Sequence, residues 1–130
     1  MTRERIYICA PWRGKTETER MENKARTVKY WRRLYDLGYH PIAPQLLYGW
    51  LLNDNDPKER QDGLDAGLEE LKRCDAVWIF GERITEGMIG EINTAIGLRI
   101  PLRCIAEPEK ELKEEPPASW HSQGGKVKNP

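Results

Sequence analysis

The run Asp75-Ala76-Val77-Trp78-Ile79-Phe80 constrains the fold more than any other segment. Its apolar residues do not alternate with polar ones, and Gly81 ends it, so it reads as a strand buried on both faces. Such a strand needs helices on each side of its sheet, which points to an α/β fold. The rest of the chain supplies them. Arg5-Ile6-Tyr7-Ile8-Cys9-Ala10 is a first strand, closed by Pro11. Thr16-Glu17-Thr18-Glu19 is a capping box, followed at helical spacing by Met21, Ala25, Val28, Trp31 or Arg32, and Tyr35, with Gly38 as the stop. His40–Pro44 is a short second strand, and residues 45–55 read as a loop holding Tyr48, Gly49 and Trp50. Asp56-Pro57-Lys58-Glu59 opens another helix, with Leu64, Leu68 and Leu71 as its stripe. Gly81–Gly87 is a loop, Met88, Ile92, Ala95 and Ile96 mark a further helix, and Pro101–Ala106 a fourth strand.

Strand–helix–strand order at this rhythm predicts parallel strands with right-handed crossovers. The expected architecture is a doubly wound, flavodoxin- or Rossmann-like α/β sandwich with a four- to five-stranded parallel sheet. With strand order 2-1-3-4, the winding reverses between strands one and three, and a ligand crevice opens beyond their carboxyl ends. The loops that start at Pro11 and Gly81 then face each other. Residues 1–106 make one domain, and 107–130 read as a charged, partly disordered tail in which Trp120 and His121 can dock on the body or a neighbour.

At 130 residues the chain fits a single domain. It has no apolar stretch near the ~18–20 residues a membrane span needs, and its N-terminus does not read as a signal peptide. Cys9, Cys74 and Cys104 are odd in number and far apart, which suits reduced thiols in a cytoplasmic protein and gives no zinc spacing. No metal or cofactor is expected. The 21 Lys and Arg balance the 21 Asp and Glu, which argues against a polymeric nucleic acid as partner. The balance is uneven, however: residues 1–33 carry +6 and residues 34–75 carry −5. A basic first quarter allows a site for a small anion.

Two loops carry the candidate chemistry. In Cys9-Ala10-Pro11-Trp12-Arg13-Gly14-Lys15, Arg13 offers a planar fork to phosphate, Gly14 permits close backbone approach, and the next helix begins with free N–H groups. The plain alternative is a solvated turn before a helix. In the second loop, Thr85-Glu86-Gly87-Met88-Ile89-Gly90-Glu91 puts Glu91 in the first turns of a helix. There the dipole is expected to hold its pKa down, and an oriented carboxylate can act as a nucleophile. The alternative is a favourable helix-start acid with no chemistry.

Ile6–Gly14, together with Asp75-Ala76-Val77-Trp78 and Thr85–Ile92, resembles the nucleoside 2-deoxyribosyltransferase superfamily, which includes the 2′-deoxynucleoside 5′-monophosphate N-glycosidases. The fuller pattern looks closest to a small subgroup of unknown function. The resemblance implies that Glu91 attacks C1′ of a (deoxy)ribose, that Tyr7 orients it, and that hydrolysis or transfer follows through a glycosyl ester. It implies phosphate contacts from Arg13, Gly14 and Thr85, with Trp12, Gly87 and Met88 also lining the substrate site. The partner would be a small nucleotide or nucleoside, bound by a homodimer or higher homo-oligomer. The family's acid for the leaving base falls, without gaps, on Gly67. Asp65 is therefore the expected catalytic substitute, with Asp62, Glu82 and Glu86 as further candidates, and Trp12, Tyr48 and Trp50 are available to stack on a base. Nucleotide binding or sensing without catalysis stays open as the alternative.

Overall fold

A computed structural model describes residues 2–113. Four parallel strands form one sheet in the order β2-β1-β3-β4: β1 (Arg5–Cys9), β2 (His40–Ile42), β3 (Ala76–Phe80) and β4 (Leu102–Ile105). The expected strand order and doubly wound class are both present. Strand parity divides the core in two. Ile6, Ile8, Trp78, Phe80 and Ile105 join Leu34, Leu37 and Tyr39 on one face, where the Tyr30 ring stacks on Phe80 at 4.4 Å. Tyr7, Cys9, Val77 and Ile79 join Leu71, Met88 and Ala95 on the other. Tyr7 pairs in register with Ile42 on one side and Val77 on the other. The period of two thus sends the Tyr7 ring toward the same layer as Met88 and Ala95.

Helix α1 (Glu17–Asp36) starts where the capping pattern places it, with Thr16 Oγ1 accepting from the Glu19 N–H at 3.1 Å. Its buried face differs from the expected stripe. Asn23, Thr27 and Leu34 are buried, whereas Met21, Val28 and Tyr35 are exposed. The helix presents two faces of comparable apolar character. The face that packs carries Leu34, Tyr30 and Trp31 (the last from the expected stripe) onto the core, and Asn23 on it satisfies the carbonyl of Trp12.

Residues 45–55 are not simply a loop: Pro44–Leu51 form helix α2, with Pro44 at its start. Helix α3 (Pro57–Leu71) is capped by Asp56, whose Oδ1 accepts from the N–H groups of Lys58 and Glu59 at 2.9 and 3.4 Å. Of its expected stripe, Leu71 is buried and Leu64 is exposed. Helix α4 spans Glu86–Gly97. After β4 a short helix α5 (Pro108–Glu111) leads to Leu112, which is buried in the first core cluster while Arg33 donates to its carbonyl. The readings of Trp120, His121 and the last six residues lie outside the described residues. None of the helices among the described residues is long and apolar enough to cross a membrane.

Candidate active site

The crevice opens where the topology requires, beyond the ends of β1 and β3. It has two lobes that meet at Glu91. The larger, about 740 Å³, lies between the two loops, with Pro11, Arg13, Gly14 and Lys15 on one wall and Arg83 and Thr85 on the other. The smaller, about 380 Å³, lies under α2 and α3 and is bordered by Tyr48, Leu64, Asp65 and Gly67. Trp12, Gln45, Asp54, Arg60 and Glu86 line both. These sizes are those of small-molecule sites.

Glu91 is held from the sheet. The Tyr7 hydroxyl donates to its Oε2 at 2.5 Å. Cys9, two residues along the same strand face, lies beside the carboxylate and turns its thiol to the Met88 carbonyl at 3.9 Å. Burial pushes the Glu91 carboxyl above the ordinary carboxylate value, and the Tyr7 hydrogen bond, with the neighbouring Cys9 thiol, opposes that shift. The expectation that the helix dipole holds it down is therefore corrected. Glu91 is the sixth residue of α4, past the first turn where the dipole acts. Burial, followed by the Glu91 charge, pushes the phenol of Tyr7 well above its usual range, so the tyrosine stays a donor.

The loop after β1 is built to hold its shape. Gly14 has φ +67°, and a Cβ there would lie 2.7 Å from the Cβ of Glu19. Glu19 accepts the Lys15 N–H at 2.7 Å, closing the turn onto α1. Asn23 Nδ2 donates to the Trp12 carbonyl at 3.1 Å. The Trp12 ring rests on Gly49 of α2, where a Cβ would come within 2.5 Å of it. Arg13 is half exposed and pairs with Asp54 at 2.9 Å. An incoming anion must share or displace that carboxylate.

The structure gathers Tyr7, Trp12, Arg13, Gly14, Thr85, Gly87 and Glu91 around one crevice, with Asp65 on the rim of the smaller lobe. Asp65 accepts from Gln61 at 2.8 Å. Met88 reaches the crevice wall but is a core residue, 2% exposed, and its sulfur accepts the Thr85 N–H. Asp62 points away and pairs with Lys58 at 2.9 Å, and Glu82 borders neither lobe. Trp50 is also outside, 72% exposed beneath the Lys24 ammonium. Tyr48 does border the smaller lobe, its hydroxyl turned outward to Glu70 at 3.1 Å. Sequence reasoning missed Asn23, Gln45, Asp54, Arg60 and Arg83. Asn23 left a signal, since a polar residue shares the helical phase of Thr27 and Leu34; the others left none. No group of three or more His, Cys, Asp or Glu among the described residues could hold a metal ion.

Residues 4–105 match the family model described as a domain of unknown function, DUF7768. The chain belongs to the DUF7768 family. No curated protein is significantly similar to this DUF7768 chain in sequence. In three dimensions it is similar to a 2-deoxyribosyltransferase from the psychrotolerant bacterium Bacillus psychrosaccharolyticus. The TM-score is 0.60 at 19% identity, over 82% of this chain and 74% of that one. At that identity the likeness establishes a shared fold. The DUF7768 domain here is thus an α/β sandwich whose fold is shared with that protein.

Proposed function

We propose that the chain breaks or transfers the N-glycosidic bond of a nucleoside or nucleoside 5′-monophosphate through an ester to Glu91. The observation that carries this reading is the Tyr7–Glu91 hydrogen bond at the junction of the two lobes. A sugar at the junction would put C1′ beside the carboxylate, its base in the smaller lobe and its 5′ end toward Arg13, Gly14 and Thr85. Tyr7 fixes one carboxylate oxygen and leaves the other to attack. The base departs through an oxocarbenium-like state, and water or a second base resolves the ester. Asp65 holds the departing base from the rim. The 2-deoxyribosyltransferase of the same fold is a suitable biocatalyst for the industrial synthesis of nucleosides, which supports a nucleoside-type substrate.

Gly67 favours a second reading, binding without turnover, because no side chain projects from that buried position of α3 toward the Tyr7 hydroxyl. Incubation with a panel of nucleosides and 5′-monophosphates decides between them. Free base that is lost in Glu91→Ala supports cleavage. Binding without release, unchanged in Glu91→Ala, supports the second reading. We also propose a homodimer or larger oligomer, using the exposed Met21, Val28 and Tyr35 of α1; light scattering should give at least twice the chain mass, and a monomer would refute it.

A further inference from the structure

We propose that the smaller lobe selects a positively charged heteroaromatic ring, so that the nucleotide cleaved here is one whose base is already a cation, such as a pyridinium. The proposal rests on the glycosidic reading above and adds the chemistry of the leaving group.

Charge is the first argument. Asp54, Glu59, Asp65, Glu86 and Glu91 line the lobe against a single cation, Arg60. Asp54 is neutralised by Arg13, and Glu59 accepts the Asn53 N–H at 2.7 Å. Asp65 and Glu86 stand on the exposed rim, and neither pairs with a cation among the described residues. The larger lobe is different: Arg13, Lys15, Arg60 and Arg83 offset its acids. A ligand lying across Glu91 therefore meets balanced charge at the end of Arg13, Lys15 and Arg83 and an excess of carboxylates at the other.

The lining is the second argument. Trp12 is fixed by Gly49 beneath its ring and by Asn23 on its carbonyl, and Tyr48, Pro44, Leu52 and Leu68 also line the lobe. A fixed indole beside carboxylates is an arrangement that favours cationic rings. A volume of about 380 Å³ admits one or two fused rings.

The reaction supplies the third argument. A neutral base leaves with the electron pair of the C1′–N bond and needs a proton, which a placed acid typically accelerates by ~10²–10⁴-fold. The floor of this lobe offers none: Gly67 faces the Tyr7 hydroxyl, and that hydroxyl's proton is given to Glu91. A ring that carries positive charge leaves neutral. The C1′–N bond breaks with its pair moving to the ring nitrogen, and a C1′–O bond forms to Glu91. Water then hydrolyses the ester, giving the sugar phosphate, and one proton is released.

Isothermal titration of the full chain carrying Glu91→Gln tests the preference without turnover. The ligands are nicotinamide mononucleotide against uridine 5′-monophosphate, and 7-methylguanosine 5′-monophosphate against guanosine 5′-monophosphate. The cationic member of at least one pair should bind about tenfold or more tightly, and the pair that shows it separates a pyridinium from an alkylated purine. Adding Asp65→Asn and Glu86→Gln should cut that preference to about twofold, with thermal melts confirming the fold. Equal affinity within both pairs, a preference that survives the double substitution, or no binding of any nucleotide overturns the proposal. Release of neutral bases by the unaltered chain, with no cation preference, would sink this inference and leave the glycosidic reading standing. Preference without release would do the reverse for cleavage.

Discussion

At the scale of single residues, Tyr7 and Glu91 are joined by strand parity and by a helix position, and both were legible in the sequence. The state of the carboxylate was not, because its burial exists only once α4 is packed on the sheet beside Tyr7 and Cys9. Its raised pKa has a consequence for stability. Folding binds a proton to Glu91 between the ordinary value of 4.5 and the higher folded value. Stability from this group is therefore full below pH 4.5 and is lost as pH rises through the folded value. Glu91→Gln should melt above the unaltered chain at pH 8, and the gap should close on acidification; a gap that widens at low pH would contradict the burial argument. Tyr7→Phe removes a hydrogen bond that opposes the upward shift. If the chain turns over a nucleotide, the acid limb of its pH–rate profile should move to higher pH in Tyr7→Phe, with a rate loss of about tenfold to a hundredfold. An unmoved limb would separate Tyr7 from the carboxylate. Cys74, raised to about 11 by burial, should stay unmodified by thiol reagents at neutral pH in the native chain, whereas exposed Cys104 should react.

At the scale of elements, capping chemistry located the helices better than apolar periodicity did. Asp56 and Thr16 stand at the starts their sequences announce. Periodicity misplaced the buried face of α1, because an apolar stripe through Met21 and Val28 competes with one that includes Asn23 and Thr27. The face that wins packs Leu34, Tyr30 and Trp31 on the core and holds the Trp12 carbonyl through Asn23. Helix α2 was invisible because eight residues with an internal glycine and no side-chain cap carry little helical signal. Gly49 nevertheless ties that helix to the site. Gly49→Ala puts a methyl 2.5 Å from the Trp12 ring. It should cost about 1–3 kcal/mol by denaturant titration and weaken nucleotide binding, since Trp12 must leave its seat. An alanine at Gly63, where the nearest side-chain atom would be 3.4 Å away, serves as the tolerated control. Equal losses at both positions would show that helix α2 and not Trp12 is being disturbed.

At the scale of the whole molecule, the neutral total charge conceals a crevice whose two ends differ, and the split into a basic first quarter and an acidic second was readable before any fold. Sequence order turned that split into geometry, because the winding reversal between β1 and β3 brings the basic loop opposite the acidic wall of α3. The end of the body was harder to read. Residues 107–113 look like solvated charge, with one leucine among them. That leucine, Leu112, is 1% exposed in the cluster of Ile8, Leu34, Phe80 and Ile105, and Arg33 bonds to the carbonyls of Leu112 and Lys113. A single buried leucine contributes about 1.5–3 kcal/mol, and the Arg33 bonds add to it. A chain ending after Ala106 should therefore lose about 2–4 kcal/mol against one ending after Lys113. It should also expose the Tyr30–Phe80 stack to quenching. Equal midpoints for the two truncations in urea would mean that α5 rests on the core without stabilising it. The Leu112→Ala substitution in the full chain then locates the effect, since it removes the buried side chain and keeps both carbonyls for Arg33.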